Sequence, residues 1–121
     1  MWWLEGYLHH RNKTADTREK IVELVQYMLE DILSGDVVSA FVHRIRGVPI
    51  LFTHAGINPN FHVYLKNKVK IEDTVDAIAA YVNKELITAA TKCEDLPCTS
   101  FKGEVFDSGP DRGGRGIGGP L

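Results

Sequence analysis

The residues best suited to chemistry lie where an apolar run stops. In the stretch VPILFTHAGINP, residues 48–59, the hydrophobic segment ends at Thr53 and His54, and the next two residues, Ala55 and Gly56, carry almost no side chain. An imidazole at the carboxyl end of a strand sits where ligands gather in open α/β sheets. Ala55 keeps bulk away, Gly56 lets the chain turn sharply, and Asn58-Pro59 reads as a rigid turn that shapes the loop. A small, polar, backbone-lined hollow beside an imidazole suits a metal ion and a phosphate. A lone histidine at such a place is more often a solvated or hydrogen-bonded residue, and spacing alone does not choose between the two.

The remaining histidines add no pattern. His62 lies eight residues past His54 in a segment read as loop and could be its neighbour; His43 is expected mid-strand with a structural role, and His9-His10 solvated. Cys93 and Cys98 sit in KCEDLPCTS with four residues between them. A zinc site would need two further ligands at a usual spacing, and none is near. Free or incidental thiols are the expectation, a local disulfide the alternative.

The elements that must position these groups are read from periodicity. Asp16 and Glu19 form a capping box, and Ile21, Leu24, Val25, Met28, Leu29 and Ile32 then fall on one helical face until Ser34-Gly35. Residues 37–45 and 48–53 are rich in Val, Ile and Phe without helical period. They predict two strands joined tightly at Arg46-Gly47, with Pro49 at the start of the second. The run 48–52 is apolar on both faces, as in a strand buried between layers. Residues 58–70 read as loop, 71–91 as a helix with Val75, Ile78, Ala79, Val82, Leu86 and Ala89 as its stripe, and 104–106 as a short strand. Six of the last fifteen residues are glycine, which excludes a helix or regular strand there.

The chain has 121 residues, 44% of them hydrophobic and 9% aromatic, enough for one domain or part of one. Fourteen basic and sixteen acidic residues leave a net charge of −2, so no long-range field argues for nucleic acid or an anionic membrane. No apolar run approaches the roughly 18 residues of a membrane span. The start, MWWLEGYLHH, lacks the basic region and unbroken apolar stretch of a signal peptide.

The segment VPILFTHAGINP resembles the LFVHAG(I/L)xP segment of the calcineurin-like metallophosphoesterases, which include serine/threonine protein phosphatases, Shewanella-like phosphatases and diadenosine tetraphosphate hydrolases. MWWLEGY looks like the MxxLxGD stretch that follows G-N-H-E in the Shewanella-like group, with Tyr7 in place of the acidic residue and a spacing different by one. DRGGRGIGGPL resembles the Arg-Gly and Gly-Gly-Pro segment before a Trp in some members. The likeness touches the start, middle and end of the chain; the middle is the specific part.

That resemblance implies an α/β fold: part of a sandwich in which two sheets lie between helices, here a helix, a β-hairpin, a helix and a Gly-rich tail over 106–121. It implies that His54 is a ligand of one of two divalent metals (Mn, Fe or Zn) and that the parent enzyme hydrolyses a phosphoester, on a phosphorylated protein or a small molecule. In such centres two metals about 3.5–4 Å apart bind the phosphate and activate the attacking water. An arginine after the histidine segment holds phosphate in the protein phosphatases, and bidentate guanidinium geometry suits that task; Arg112 is the candidate here, ahead of Arg115. The family motifs G-D-x-H-G, G-D-x-x-D-R-G, G-N-H-E and a late G-H do not occur in this sequence. The resemblance therefore implies an internal fragment, inactive by itself, with Met1 and Leu121 inside a longer domain. Two rivals stand beside it: a non-catalytic helix-and-hairpin scaffold, and an RNA-binding module using the Arg-Gly tail.

Overall fold

The computed structural model describes residues 17–93 and 101–121. The capping residue Asp16, the MWWLEGY stretch, His9, His10 and Cys98 lie outside them. Two compact units make up the chain, Met1–Val37 with Ala89–Phe101, and Val38–Thr88 with Lys102–Leu121. Mixed helices and a two-stranded antiparallel sheet place the described residues in a general α/β class.

In the first unit, α1 spans Thr17–Ser34. Ile21, Val25, Leu29 and Ile32 are its buried stripe, while Leu24 is 41% exposed and widens the apolar face only at its margin. Gly35 ends the helix at φ +87°, donating its amide to the Ile32 carbonyl at 3.2 Å. Cys93 is disulfide-bonded, the alternative that the sequence left open beside free thiols. Charge and spacing around a C-x4-C pair do not report redox state, so the sequence did not choose between the two.

The second unit holds the hairpin. Strand β1 is Ala40–Ile45 and β2 is Val48–Thr53, paired with Ile45 opposite Val48 and Ala40 opposite Thr53. Arg46 and Gly47 both have positive φ, +52° and +80°, the pattern of a two-residue turn whose twist matches the strands. β1 starts at residue 40 rather than 37. There Asn83 takes over: its Oδ1 accepts the amides of Ser39 and Ala40, each at 2.9 Å, and its Nδ2 donates to the Ala40 carbonyl at 2.7 Å. A side-chain amide thus occupies the edge of β1 where another strand would pair.

Successive side chains alternate across the sheet. Ala40, Val42 and Leu51 face the core made by Phe61, Leu65, Ile78, Ala79, Val82 and Val105. The other face carries Phe41, His43, Ile45, Val48, Ile50 and Phe52, all exposed. Val48 is 60% and Phe52 43% exposed. β2 is therefore not buried between two layers as its composition implied; within this unit one layer lies against it.

Residues 58–70 are not a loop. Helix α2 runs over Pro59–Tyr64 and continues as one π turn, Leu65–Val69, closed by Lys70 in the left-handed region. Asn58 caps it, its Oδ1 accepting the Phe61 amide at 2.8 Å, and Pro59 at the first position loses nothing by lacking an amide. Phe61 and Leu65, one turn apart, are buried at the centre of the core. Helix α3 spans Val75–Thr91, beginning four residues later than expected because the Thr74 hydroxyl caps it through the Ala77 amide at 3.2 Å.

The Gly-rich tail folds back on itself. Residues 104–106 form a turn, not a strand: the Gly103 carbonyl takes the amides of Phe106 and Asp107. Gly119 and Leu121 then donate to the carbonyls of Asp107 and Val105, at 2.9 and 3.1 Å. Among the described residues no helix is long and apolar enough to cross a membrane.

Candidate functional site

His54 follows the last residue of β2 and is exposed. Thr53 prepares the turn beyond it, its hydroxyl accepting the Gly56 amide at 3.0 Å while Gly56 adopts φ +77°. Ala55 donates its amide to the carbonyl of Pro120 at 3.0 Å. His54 lines an open cleft of about 420 Å³ with Val38, Ser39, Phe41, Phe52, Thr53 and Leu121. The imidazole thus stands between the end of the hairpin and the last residue of the tail, beside two phenylalanines whose rings stack 4.8 Å apart.

The tail reaches this position through two devices. Gly118 lies so close to Asn58 that a Cβ there would overlap the Asn58 side-chain nitrogen, and its φ of +88° also favours glycine. Arg112, in the short 3₁₀ turn Pro110–Arg112, donates its Nη2 to the Gly119 carbonyl. The structure brings together His54 and the Gly-Gly-Pro segment, which lie more than sixty positions apart in the sequence. Arg112 is not among the residues lining the His54 cleft; its guanidinium fastens the tail. Arg115 lines a different cleft, about 540 Å³, with Glu104, Asp107 and Ser108.

No protein-family model, curated protein or solved structure matches the chain.

His62 is engaged elsewhere. Its Nε2 lies 2.6 Å from the Asp73 carboxylate, with Lys66 at 3.6 Å from the second oxygen. That hydrogen bond from His62 is the chief cause holding the Asp73 carboxyl below its usual range; the charges of His62 and Lys66 add to it and desolvation works against it. His43 lies mid-strand on the uncovered face, and Arg44, on the core side, pairs with Asp76 at 3.2 Å.

Two divalent metals do not fit the described residues by themselves. No group of three or more His, Cys, Asp or Glu side chains comes together among them. His54 has the donor chemistry to supply one neutral nitrogen ligand. Sequence reading took Asn58 as a turn residue that shapes the loop and missed that it caps a helix through the Phe61 amide; it missed Pro120 altogether. Asn58-Pro59 carried a readable signal, a capping residue followed by proline at a helix start. Pro120 carried none, because its role is a backbone carbonyl.

Proposed function

We propose that this chain is the histidine-bearing part of a two-metal phosphoesterase domain of the calcineurin-like kind, and that His54 supplies one metal ligand in the assembled domain. The observation that carries the proposal is the meeting of the two sequence segments that resemble the family. The strand-His-Ala-Gly turn and the Gly-Gly-Pro tail are tied by the Ala55–Pro120 hydrogen bond and by the packing of Gly118 on Asn58. The fold-level expectation, a sandwich of two sheets between helices, is supported by the hairpin: one face has its helical layer, and the other is apolar and open to a second layer.

In this reading the chain's own residues do three things. The β2 strand fixes the His54 backbone, Ala55 and Gly56 leave the imidazole approachable, and the tail braces the turn from behind. The remaining ligands would come from carboxylates and histidines of motifs that this sequence lacks. Arg112 is proposed as a brace for the tail that leaves part of its guanidinium available for phosphate.

The test compares the 121-residue chain with the protein encoded by an extended reading frame, using p-nitrophenyl phosphate and Mn²⁺. The chain alone is expected to show no turnover; the longer protein is expected to hydrolyse the substrate and to lose most of its kcat with His54→Asn. Metal-dependent turnover by the short chain, or full activity of the His54→Asn protein, would contradict the reading.

A further inference from the structure

The cleft beside His54 has a chemistry that a ligand role for the imidazole does not use. Val38, Phe41, Phe52 and Leu121 supply its apolar walls, and no Asp, Glu, Lys or Arg among the described residues lines it. The Phe41 and Phe52 rings lie 4.8 Å apart and within 8° of parallel, and they are 54% and 43% exposed. The two hydroxyls of the lining are already engaged: Ser39 Oγ donates to Asn83 Oδ1 at 3.1 Å, and Thr53 Oγ1 accepts the Gly56 amide at 3.0 Å. Of the polar side chains in the lining, that leaves the His54 imidazole to meet a ligand. The walls are held from behind. Ala40, bonded through its amide and carbonyl to Asn83, sits opposite Thr53, so the same clamp fixes the neighbouring Phe41–Phe52 pair. At about 420 Å³ the cleft falls within the range of small-molecule pockets, about 300–1,000 Å³. The other cross-strand pairs of this sheet face, His43–Ile50 and Ile45–Val48, line no part of it, so a second layer over them leaves the cleft at its margin.

We infer that this cleft is the subsite for a neutral aromatic ring, and that the ring is the leaving group of the substrate: the site selects phosphate esters of phenols over those of charged or aliphatic alcohols. The substrate class rests on the phosphoesterase reading; the ring subsite does not. A charged leaving group would lose water in the cleft and find no opposite charge in its walls, which disfavours a nucleoside polyphosphate or an acidic peptide segment. An aromatic ring gains from burial against the open edges of Phe41 and Phe52 and, beyond that, from offset or edge-to-face contact. With the ring on the phenylalanines, the ester oxygen is left for the imidazole side of the cleft. Hydrolysis breaks the P–O bond to the phenol; water supplies the new oxygen on phosphorus and the proton on the phenol. Phe41 and Phe52 are then the residues that determine specificity, and they act by binding the ring.

The test has two arms. In the first, the metal-free 121-residue chain is titrated with phenol, and with cyclohexanol as its aliphatic match, and followed by side-chain NMR. Phenol is expected to shift Phe52, His54 and Leu121, and to bind about tenfold more weakly to Phe52→Ala, the loss of one aromatic contact. Phe41→Leu repeats the test should Phe52→Ala lose its fold. Ile50→Ala, on the same sheet face but outside the cleft, is expected to bind phenol as the unaltered chain does. No shift at millimolar phenol, an equal response to cyclohexanol, or shifts centred on Val48 and Ile50 would overturn the subsite. In the second arm, the protein from the extended reading frame is assayed with phenyl phosphate and cyclohexyl phosphate. Phe52→Ala is expected to raise KM about tenfold for the phenyl ester and to leave it unchanged for the cyclohexyl ester. Equal effects on both esters, with turnover intact, overturn the inference and leave the phosphoesterase reading standing. Phenol binding by the chain with no turnover by the longer protein does the reverse: the ring subsite stands and the phosphoesterase reading falls. A phosphotyrosine peptide assayed beside phenyl phosphate shows whether the preferred ring belongs to a protein or to a free phenol.

Discussion

The amide of Ala55 donates to the carbonyl of Pro120 at 3.0 Å, joining the turn after β2 to the end of the chain. His54 is thereby flanked on one side by a strand and on the other by the tail. Arg112 holds the neighbouring carbonyl, that of Gly119. Replacing Arg112 with Ala is expected to destabilise the second unit by about 1 kcal/mol, since the hydrogen bond has a charged donor that is partly open to water. Urea denaturation checks this. An unchanged midpoint would mean that the guanidinium does not brace the tail.

The cap of α2 offers a second test. Asn58→Ala removes the acceptor for the Phe61 amide and is expected to cost about 1 kcal/mol, while Asn58→Asp keeps the acceptor and most of the stability. Gly118→Ala presses on the same side chain from the tail and is expected to cost about 2 kcal/mol or more, because overlap adds to an unfavourable positive φ. Gly113→Ala shares the positive φ but has open space around it, and about 1 kcal/mol is expected. Equal losses at 113 and 118 would show that the tail does not pack on Asn58.

Asn83 is the residue of α3 that sets where β1 begins. Asn83→Leu leaves the Ser39 and Ala40 amides and the Ala40 carbonyl without partners and is expected to cost about 2–3 kcal/mol. Asn83→Asp keeps the acceptor but sets a carboxylate oxygen against the Ala40 carbonyl, so it should not rescue. Chemical denaturation with amide exchange at residues 39 and 40 reads both effects; wild-type protection in Asn83→Leu would contradict the clamp.

The pH dependence of the α2–α3 connection follows from Asp73. Its carboxyl titrates below the ordinary 3.8 in the folded chain, so the unfolded chain binds more protons as pH falls. The contribution is fully present above the unfolded value and is lost as pH drops through the folded one, below about pH 4. Both partners are well exposed, so the effect on stability is small and is best read locally. His62→Ala is expected to raise the Asp73 titration midpoint, measured by carboxyl-carbon NMR. No change would mean that the His62 hydrogen bond does not form in solution.

Much of this was legible in the sequence where periodicity carried it. The stripe of α1 named the buried Ile21, Val25, Leu29 and Ile32 together with Leu24 and Met28, which are not buried, and Arg46-Gly47 marked the tight turn of the hairpin. The part of α3 after residue 75 followed from its apolar spacing. What failed was context. An apolar β2 reads the same whether both faces are covered or one is open, so Val48 and Phe52 misled. Phe61 and Leu65 were hidden because a six-residue helix is too short to show a period; the Asn58-Pro59 cap was the usable sign. At the candidate site, His54 was visible because a strand end followed by two small residues is local. The partnership with Pro120 was not, since a backbone carbonyl leaves no trace in residue type.

The most direct measurement is the genomic sequence on either side of this reading frame. The account expects G-D-x-H-G, G-D-x-x-D-R-G and G-N-H-E in frame upstream and a G-H downstream, which would make His54 one ligand of a complete metal set. Stop codons bounding both ends, with none of those motifs, would contradict it and leave His54 a surface histidine in a cleft of a non-catalytic protein.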